Sequence, residues 1–255
     1  MDKSDILILE REPDIAVLTM NRPPANALNF DLISALIDHL RALASEAAPP
    51  GVVLTGKGDR FFSAGGDIKE VKGIEAATPR IRSFHAALCE MECYPAPLVC
   101  AVRGYAVGGA FELLLHADYV IADPGTQVGF PEINHGLLPV AKGMRQAALR
   151  LGKRAAQTML YSGSLIDAQK ALGIGAVDEI VDTSDVMARA IAICRQLRSK
   201  DQKLFAAIKY SLNLTGQMSD EELDDMTVRH LGRYLDNDHS AQARARFLSK
   251  GATAK

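Results

Sequence analysis

The chain has 255 residues, and 29 Lys and Arg residues nearly balance 31 Asp and Glu residues. This length suits one large domain, or one domain with a small appendage, and 48% apolar with 24% charged residues is usual for a soluble globular protein. Basic residues are scattered and not interleaved with aromatic ones, which argues against nucleic-acid binding. No apolar segment follows Met1, and no apolar run approaches the ~20 residues of a membrane span. We therefore expect a cytoplasmic protein without a membrane partner.

The cysteines give no sign of a metal site. Cys89, Cys93, Cys100 and Cys194 are flanked by apolar residues, and no C-x-x-C pair or neighbouring His pair completes a ligand set. We expect buried, reduced thiols, as in proteins of a reducing compartment.

The first half of the chain alternates strand and helix signals. Asn29 can cap a helix in which Leu32, Ile33, Leu36, Ile37, Leu40 and Leu43 keep a 3.6-residue period. The segment GDRFFSAGGDIKEV is expected to be a loop that opens a helix, and a Gly-rich turn and a helix are expected after residue 102. The apolar segments predicted as strands are Ile15–Met20, Gly51–Gly56, Leu98–Val102 and Tyr119–Asp123.

The second half is mostly helical. Helices are predicted around residues 153–161 and 167–172, followed by a strand in AVDEIV, residues 176–181. Strands separated by helices indicate an α/β fold with a largely parallel sheet. From about residue 185 only helices are expected, and Ser219 and Glu222 have the spacing of a capping box. This helical tail could cover its own subunit or pack on a neighbouring one. Its last apolar stripe comprises Leu223, Met226, His230 or Leu231, and Tyr234.

Two Gly-rich turns share one design, in which an apolar strand leads through small residues into a helix. They are FFSAGGDI, residues 61–68, and GYAVGGAFEL, residues 104–113. Small residues let the backbone approach a ligand, and the first amides of a helix have no intrahelical acceptor. Two such turns could together hold an oxygen that becomes negative during a reaction. The alternative is that the glycines only permit tight packing.

Two glutamates stand in apolar surroundings. Glu112 precedes three leucines, and Glu132 follows Pro131 in GFPEI. Glu112 could simply be ion-paired or exposed, and Glu132 could be a charge favoured at a helix N-terminus. Prolines and glycines between the two exclude one continuous helix, so a catalytic pair would have to form by tertiary folding.

Five segments of the chain, taken together, carry a family resemblance. They are NRPPANAL (21–28), FFSAGGDI (61–68), RGYAVGGAFEL (103–113), GFPEINHGLLP (129–139) and DAQKALGIGAVDEIV (167–181). These segments resemble the crotonase, or enoyl-CoA hydratase/isomerase, superfamily. The resemblance implies a crotonase-like spiral of strand–strand–helix units in residues 1–190, with the CoA-ester site. It further implies a C-terminal helical region in residues 191–255 that mediates trimerisation, giving a homotrimer or a dimer of trimers.

The resemblance also assigns roles to residues. Ala64 and Gly109 match the two residues whose amides form the oxyanion hole for the thioester carbonyl. Glu112 and Glu132 match the catalytic glutamates, the first activating water and the second exchanging a proton at the α carbon. No metal and no cofactor beyond the CoA of the acyl-CoA substrate are expected. The positions implied in CoA-ester binding are Ala64, Gly65, Gly66, Asp67, Ile68 and Gly109.

Retention of both glutamates favours an enoyl-CoA hydratase that reversibly adds water to a 2-enoyl-CoA through an enolate. A Δ3,Δ2-enoyl-CoA isomerase, another thioester enzyme such as a hydrolase, and a non-catalytic CoA-ester or RNA-binding relative stay open. The segment LLPVAKGMRQAAL lacks the glycine-rich run common in the family and has Val140, Lys142 and Met144 instead, which indicates an unusual acyl group. His135 could reach the pocket or lie on the surface.

Overall fold

The structure is a computed structural model that describes residues 3–70, 73–214, 218–235 and 238–252. The chain forms two compact units, Met1–Arg198 and Ser199–Lys255. The division falls a few residues after the predicted one, and the trimerisation role of residues 191–255 stays a prediction.

The first unit contains all the strands of the described residues and eight of their α-helices. The strands are β1 (Leu7–Arg11), β2 (Ile15–Met20), β3 (Gly51–Gly56), β4 (Phe61–Ser63), β5 (Leu98–Val102), β6 (Tyr105–Val107), β7 (Tyr119–Ala122), β8 (Gln127–Gly129), β9 (Leu165–Asp167) and β10 (Glu179–Ile180). The helices are α1 (Lys3–Ile6), α2 (Phe30–Ala44), α3 (Ile74–Cys93), α4 (Gly109–Leu115), α5 (Ala141–Leu151), α6 (Lys153–Ser162), α7 (Ala168–Gly173) and α8 (Val186–Arg198). Two 3-10 helices span Ile68–Glu70 and Pro131–His135.

The larger sheet has six strands in the order β1-β2-β3-β5-β7-β10. Only β1 is antiparallel to its neighbour, so the prediction of a largely parallel sheet is confirmed. The central strands β3 and β5 are buried along their whole length, which explains why they are continuous apolar runs. The strand predicted at residues 176–181 is present but has only two residues.

A smaller sheet of four strands, ordered β4-β6-β8-β9, lies where the sequence predicted a loop and turns. Each of β4, β6 and β8 follows a strand of the larger sheet within a few residues, and β4, β6 and β8 are parallel to one another. A long strand, a short strand and a helical segment thus repeat along the chain, as the predicted spiral requires. These short strands were missed because three residues are too few to show a period of two.

Both faces of the larger sheet are covered. One core contains the apolar sides of α2, α3 and α4, and the other is formed where Val186, Ala190 and Ile193 of α8 pack on residues such as Val53 and Val99. Helix α2 begins as predicted, because the Asn29 side chain accepts a hydrogen bond from the Leu32 amide at 3.0 Å.

None of the four cysteines, all of which are described by the structure, forms a disulfide bond, and two of them, Cys100 and Cys194, are buried. Cys93 is exposed at the end of α3 and Cys89 is partly exposed, so the expectation that all four are buried is wrong for these two.

The second unit, described by itself, contains α9 (Gln202–Leu214), α10 (Asp220–Leu235) and α11 (Asp238–Ala252). The capping box is confirmed: the Ser219 amide donates to Glu222 at 2.8 Å, and the Glu222 amide donates to the Ser219 hydroxyl at 3.3 Å. Met226 is buried, whereas Leu231 is 51% exposed, so His230 and not Leu231 continues the buried stripe. The side chain of Tyr234 lies outside the described residues. In the parts of the chain described above, no helix has both the length and the apolar character needed to cross a bilayer.

Candidate active site

A cavity of about 540 Å³ opens in the first unit between the two Gly-rich turns and the segment after β8. Its walls are mostly apolar, and both predicted catalytic glutamates line it. The side chains of α3 that line it include Ile81 and Phe84, whereas Leu137, Leu138 and Val140 come from the segment before α5.

Glu112 lies in the first turn of α4 and is only 2% exposed. The Val140 amide lies 3.4 Å from its Oε1, and among the described residues its buried Oε2 has no hydrogen-bond partner. Burial, and then the negative charge of Glu132, raise the pKa of Glu112 to about 8. A carboxyl group with this pKa can hold a proton at neutral pH.

Glu132 lies at the start of the 3-10 helix Pro131–His135 and is partly buried. Its Oε1 lies against Gly108, where an added Cβ would come within 2.7 Å, and its Oε2 is buried with no hydrogen-bond partner in the described residues. Burial raises the pKa of Glu132 as well. Two carboxyl groups that stand 20 residues apart in the sequence therefore line one cavity, each with one buried oxygen that has no hydrogen-bond partner among the described residues.

The two Gly-rich turns pack backbone against backbone. Gly65 has a φ of +79°, and a Cβ on it would lie 2.4 Å from the Val107 carbonyl oxygen and 3.2 Å from the Gly109 nitrogen. Only glycine fits this position, both because of the left-handed φ and because of the close approach. The first turn is thereby held next to the first amide of α4.

The amide that the first turn presents is not the one predicted. The Ala64 N–H donates to the Ala25 carbonyl at 2.9 Å, so it is not available for a thioester oxygen, and its assignment to the oxyanion hole is corrected here. The Gly65 amide is also engaged, with the Ser63 hydroxyl at 3.1 Å. Sequence alone could not show this, because every residue of the turn carries a similar amide.

Gly66 has the free amide of this turn. It pairs with Leu28 in a parallel bridge that uses the Leu28 and Asp67 amides, so its own N–H points to the opposite side. Gly66 lines the cavity, and its N–H has no acceptor among the described residues. Gly109 is the first residue of α4 and also lines the cavity, and the structure describes no acceptor for its N–H. The amides of Gly66 and Gly109 are thus the available pair.

The other predicted CoA-ester residues divide into two groups. Ala64 and Ile68 line the cavity, and Ile68 is 67% exposed at its mouth, whereas Gly65 and Asp67 do not line it. The carboxylate of Asp67 is engaged with Arg22 at 2.6 Å. Burial opposes its charge, but hydrogen bonds from the Lys69 amide and Arg22 hold the pKa of Asp67 below its usual range.

Sequence reasoning missed some residues of the cavity. Arg80 of α3 lines it, and a Cβ on Gly66 would lie 2.9 Å from one of its guanidinium nitrogens. No motif marks Arg80, because it lies on a helix that only the tertiary fold brings to the turn. His135, which the sequence left between pocket and surface, lines the cavity and is also exposed.

Across the described ranges, no group of three or more His, Cys, Asp or Glu residues could hold a metal ion. The absence of any cofactor beyond the CoA of the substrate stays a prediction.

Comparisons with known proteins agree with this architecture. A family model described as enoyl-CoA hydratase/isomerase matches residues 10–254. The chain is 31% identical to the 2,3-dehydroadipyl-CoA hydratase of Escherichia coli over 84% of both chains. It is 32% identical to the crotonyl-CoA hydratase of Syntrophomonas wolfei over 81% of both.

Solved structures are similar as well. Pseudomonas aeruginosa DspI superposes with a TM-score of 0.91 and 26% identity, over 98% of this chain and 96% of that one. An enoyl-CoA hydratase of Bacillus anthracis superposes with a TM-score of 0.89 and 25% identity, over 96% of both. The chain therefore has the crotonase fold and belongs to the enoyl-CoA hydratase/isomerase family of enzymes.

Proposed function

We propose that the protein reversibly adds water across the double bond of a 2-enoyl-CoA thioester. One observation carries this proposal: Glu112 and Glu132 line one mostly apolar cavity together with the free amides of Gly66 and Gly109. Two relatives of the chain are named as hydratases, one of crotonyl-CoA and one of 2,3-dehydroadipyl-CoA, and these names support the same reaction.

The amides of Gly66 and Gly109 would bind the thioester carbonyl. Attack of water on C3 moves an electron pair through C2 onto this oxygen and gives an enolate. Two fixed N–H donors stabilise this developing charge, and loss of one such donor typically costs about 10²–10³ in kcat. Neither donor needs to reorganise, because each belongs to backbone that is fixed by neighbouring hydrogen bonds.

The two glutamates would share one proton. Water loses a proton to one carboxylate while its oxygen bonds to C3, and the other carboxyl group gives its proton to C2, so that water is added with no net change in the pair. Burial favours the neutral form of each group, and mutual repulsion disfavours two negative charges in one cavity. The pair is therefore suited to hold a single proton at neutral pH.

We assign Glu112 to water and Glu132 to C2, as the resemblance implies. A base with a pKa of about 8 has a high affinity for the proton of water. Because Glu112 with this pKa holds the shared proton at neutral pH, the reactive arrangement is the one in which this proton has moved to Glu132 and Glu112 is ionised. In the reverse dehydration a proton returns to Glu132 from C2.

Activity tests this proposal directly. Conversion of crotonyl-CoA to 3-hydroxybutyryl-CoA is followed by loss of the enoyl-thioester absorbance and by product analysis. Parallel assays measure isomerisation of a 3-enoyl-CoA and hydrolysis of an acyl-CoA. We expect hydration, and we expect Glu112→Gln and Glu132→Gln each to lower kcat by about 10²–10⁴. Full activity in either variant, or only isomerisation or hydrolysis by the wild type, would refute it.

The division of roles has its own test. Exchange of the C2 proton of a saturated acyl-CoA with D₂O needs an enolate and a group at C2, but no water at C3. We expect this exchange to survive in Glu112→Gln and to be lost in Glu132→Gln. The opposite result would reverse the roles while leaving the reaction unchanged.

The acyl group is proposed to be a short or branched 2-enoyl chain. The wall that faces it contains Ile81, Phe84, Leu138 and Val140, and Val140 replaces part of the family's glycine-rich run. A panel of 2-enoyl-CoA esters of increasing length and branching, compared by kcat/KM, would define this preference.

The assembly is proposed to be a homotrimer or a dimer of trimers. The second unit supports this, since its helices carry large apolar side chains that are more than half exposed in the single chain. They are Ile208, Leu212, Val228, Leu231, Leu235, Phe247 and Leu248. Light scattering on the full chain should give three or six times 27.5 kDa, and a monomer would contradict the proposal.

A further inference from the structure

A buried network of charged side chains lies directly behind Glu112. Lys142 of α5 donates to Glu92 Oε2 of α3 at 2.5 Å, and the other oxygen of Glu92 lies 3.4 Å from Nε2 of His116. His116 ends α4, and its Nδ1 donates to the Glu112 carbonyl at 2.7 Å. One carboxylate therefore joins α3, α4 and α5.

These side chains are nearly inaccessible, with exposed fractions of 10% for Lys142, 10% for Glu92 and 0% for His116. Burial opposes the charge of Glu92, but its neighbours His116 and Lys142 hold the pKa of Glu92 below the usual range. Removing two charges from water is costly, and a buried ion pair often adds little net stability. What such a pair does provide is a fixed relative position of the elements that carry it.

Lys142 lies in the turn beside Glu112 and fixes the position of this turn. Val140 and Gly143, on either side of Lys142 in the sequence, both contact the Glu112 carboxylate. The Val140 amide lies 3.4 Å from Oε1, and a Cβ on Gly143 would lie only 1.8 Å from Oε2. The start of α5 thus closes the cavity around Glu112, and the Lys142 side chain ties it to α3.

We propose that Lys142, through its ion pair with Glu92, is a positioning residue that holds the start of α5 against the carboxylate of Glu112. The proposal rests on the hydratase function only for its kinetic test. Without the ion pair, the turn from Val140 to Gly143 would lose its anchor, and water would reach Glu112. The site would keep its catalytic groups but lose the geometry and low polarity that tune them.

The protonation of Glu112 gives a readout that does not need turnover. When water reaches its carboxylate, the pKa of Glu112, which is the midpoint of its titration, should fall from about 8 toward the ordinary 4.5. Infrared difference titration can follow the protonated carboxyl band, with Glu112→Gln and Glu132→Gln spectra as assignments. The groups that face Glu112 or share its cavity are Glu132, Glu92, His116, Lys142, Arg80, His85 and His135.

The test compares Lys142→Met with Lys142→Arg, Glu92→Gln and the exposed control Lys153→Met. We expect Lys142→Met to lower kcat about 10- to 100-fold, with KM changed less than threefold, and to lower the Glu112 midpoint. Lys142→Arg should restore most of the kcat, Glu92→Gln should act in the same direction as Lys142→Met, and Lys153→Met should match the wild type.

An unchanged kcat and an unchanged Glu112 midpoint in Lys142→Met would overturn the proposal. So would a loss of activity that only follows the fraction of unfolded protein, with wild-type kcat in the folded fraction. If Lys142→Met does not fold, Glu92→Gln, which keeps the shape of the side chain, decides in the same way. If the wild type hydrates no 2-enoyl-CoA, the proposed function fails, but the infrared titration still tests the positioning role.

Discussion

Replacing Glu112 by Gln should make the folded protein more stable at neutral and alkaline pH. The pKa of Glu112 is about 8 in the folded protein against 4.5 for an unperturbed Glu, a difference of about 3.5. Because the folded pKa is raised, the folded protein binds more protons than the unfolded chain between these two values. Its free energy of unfolding therefore falls as the pH rises from about 4.5 to about 8.

The magnitude follows from this difference. Each pKa unit corresponds to about 1.4 kcal/mol, so the ionised carboxylate costs on the order of 5 kcal/mol above pH 8. Gln has no charge at any pH and avoids this cost. Below pH 4.5, where both states of the wild type are protonated, the two proteins should differ little.

Urea unfolding at pH 4.5, 7 and 9, at one fixed protein concentration, measures the effect. We expect the stability difference between Glu112→Gln and the wild type to grow with pH by a few kcal/mol, and we expect the kcat of the variant to fall by the factor given above. Glu75→Gln, at an exposed position of α3, is the matched control. A difference that stays constant from pH 4.5 to 9 would refute the assignment of a buried, proton-binding Glu112.

Further predictions concern the backbone around the site. Gly143→Ala should lower kcat about 10²-fold, because its Cβ would displace the Glu112 carboxylate. The control Gly173→Ala, at a position with open space around it, should match the wild type. Equal activities of the two variants would contradict the contact between Gly143 and Glu112. Asn26→Ala should lower the free energy of unfolding by about 2–4 kcal/mol in urea titrations, since this buried side chain donates to the carbonyls of residues 57 and 61; an unchanged midpoint would be inconsistent. Gly66→Pro removes the proposed oxyanion donor and should lower kcat about 10²–10³-fold, whereas Gly66→Ala, which keeps the N–H, should lose less; equal losses would speak against this amide.

Much of the fold could be predicted because its main elements have strong local signals. The central strands of the larger sheet are buried on both faces and read as continuous apolar runs, and the Asn29 cap is a local hydrogen bond. The smaller sheet could not be predicted, since each of its strands has three residues and is defined by its neighbours.

The sequence predicted most of the residues that line the site, but not the hydrogen bonds and ion pairs that these residues make. The meeting of Glu112 and Glu132 in one cavity follows the resemblance, but the choice between Ala64 and Gly66 depends on which amide the backbone already uses. The contacts of Lys142 also depend on tertiary structure, because Glu92 lies 50 residues earlier. Sequence alone marked Lys142 only as a departure from a family pattern.

The interlocked turns at Gly65 and Gly109 consist of main chain alone. In the proposed reaction, recognition of the thioester would thereby be separated from the side chains around the rest of the substrate. Mutations at positions such as Ile81 or Leu138 would then reshape the proposed acyl compartment without moving the proposed carbonyl donors. A protein built in this way can change its preferred substrate during evolution while its reaction stays the same.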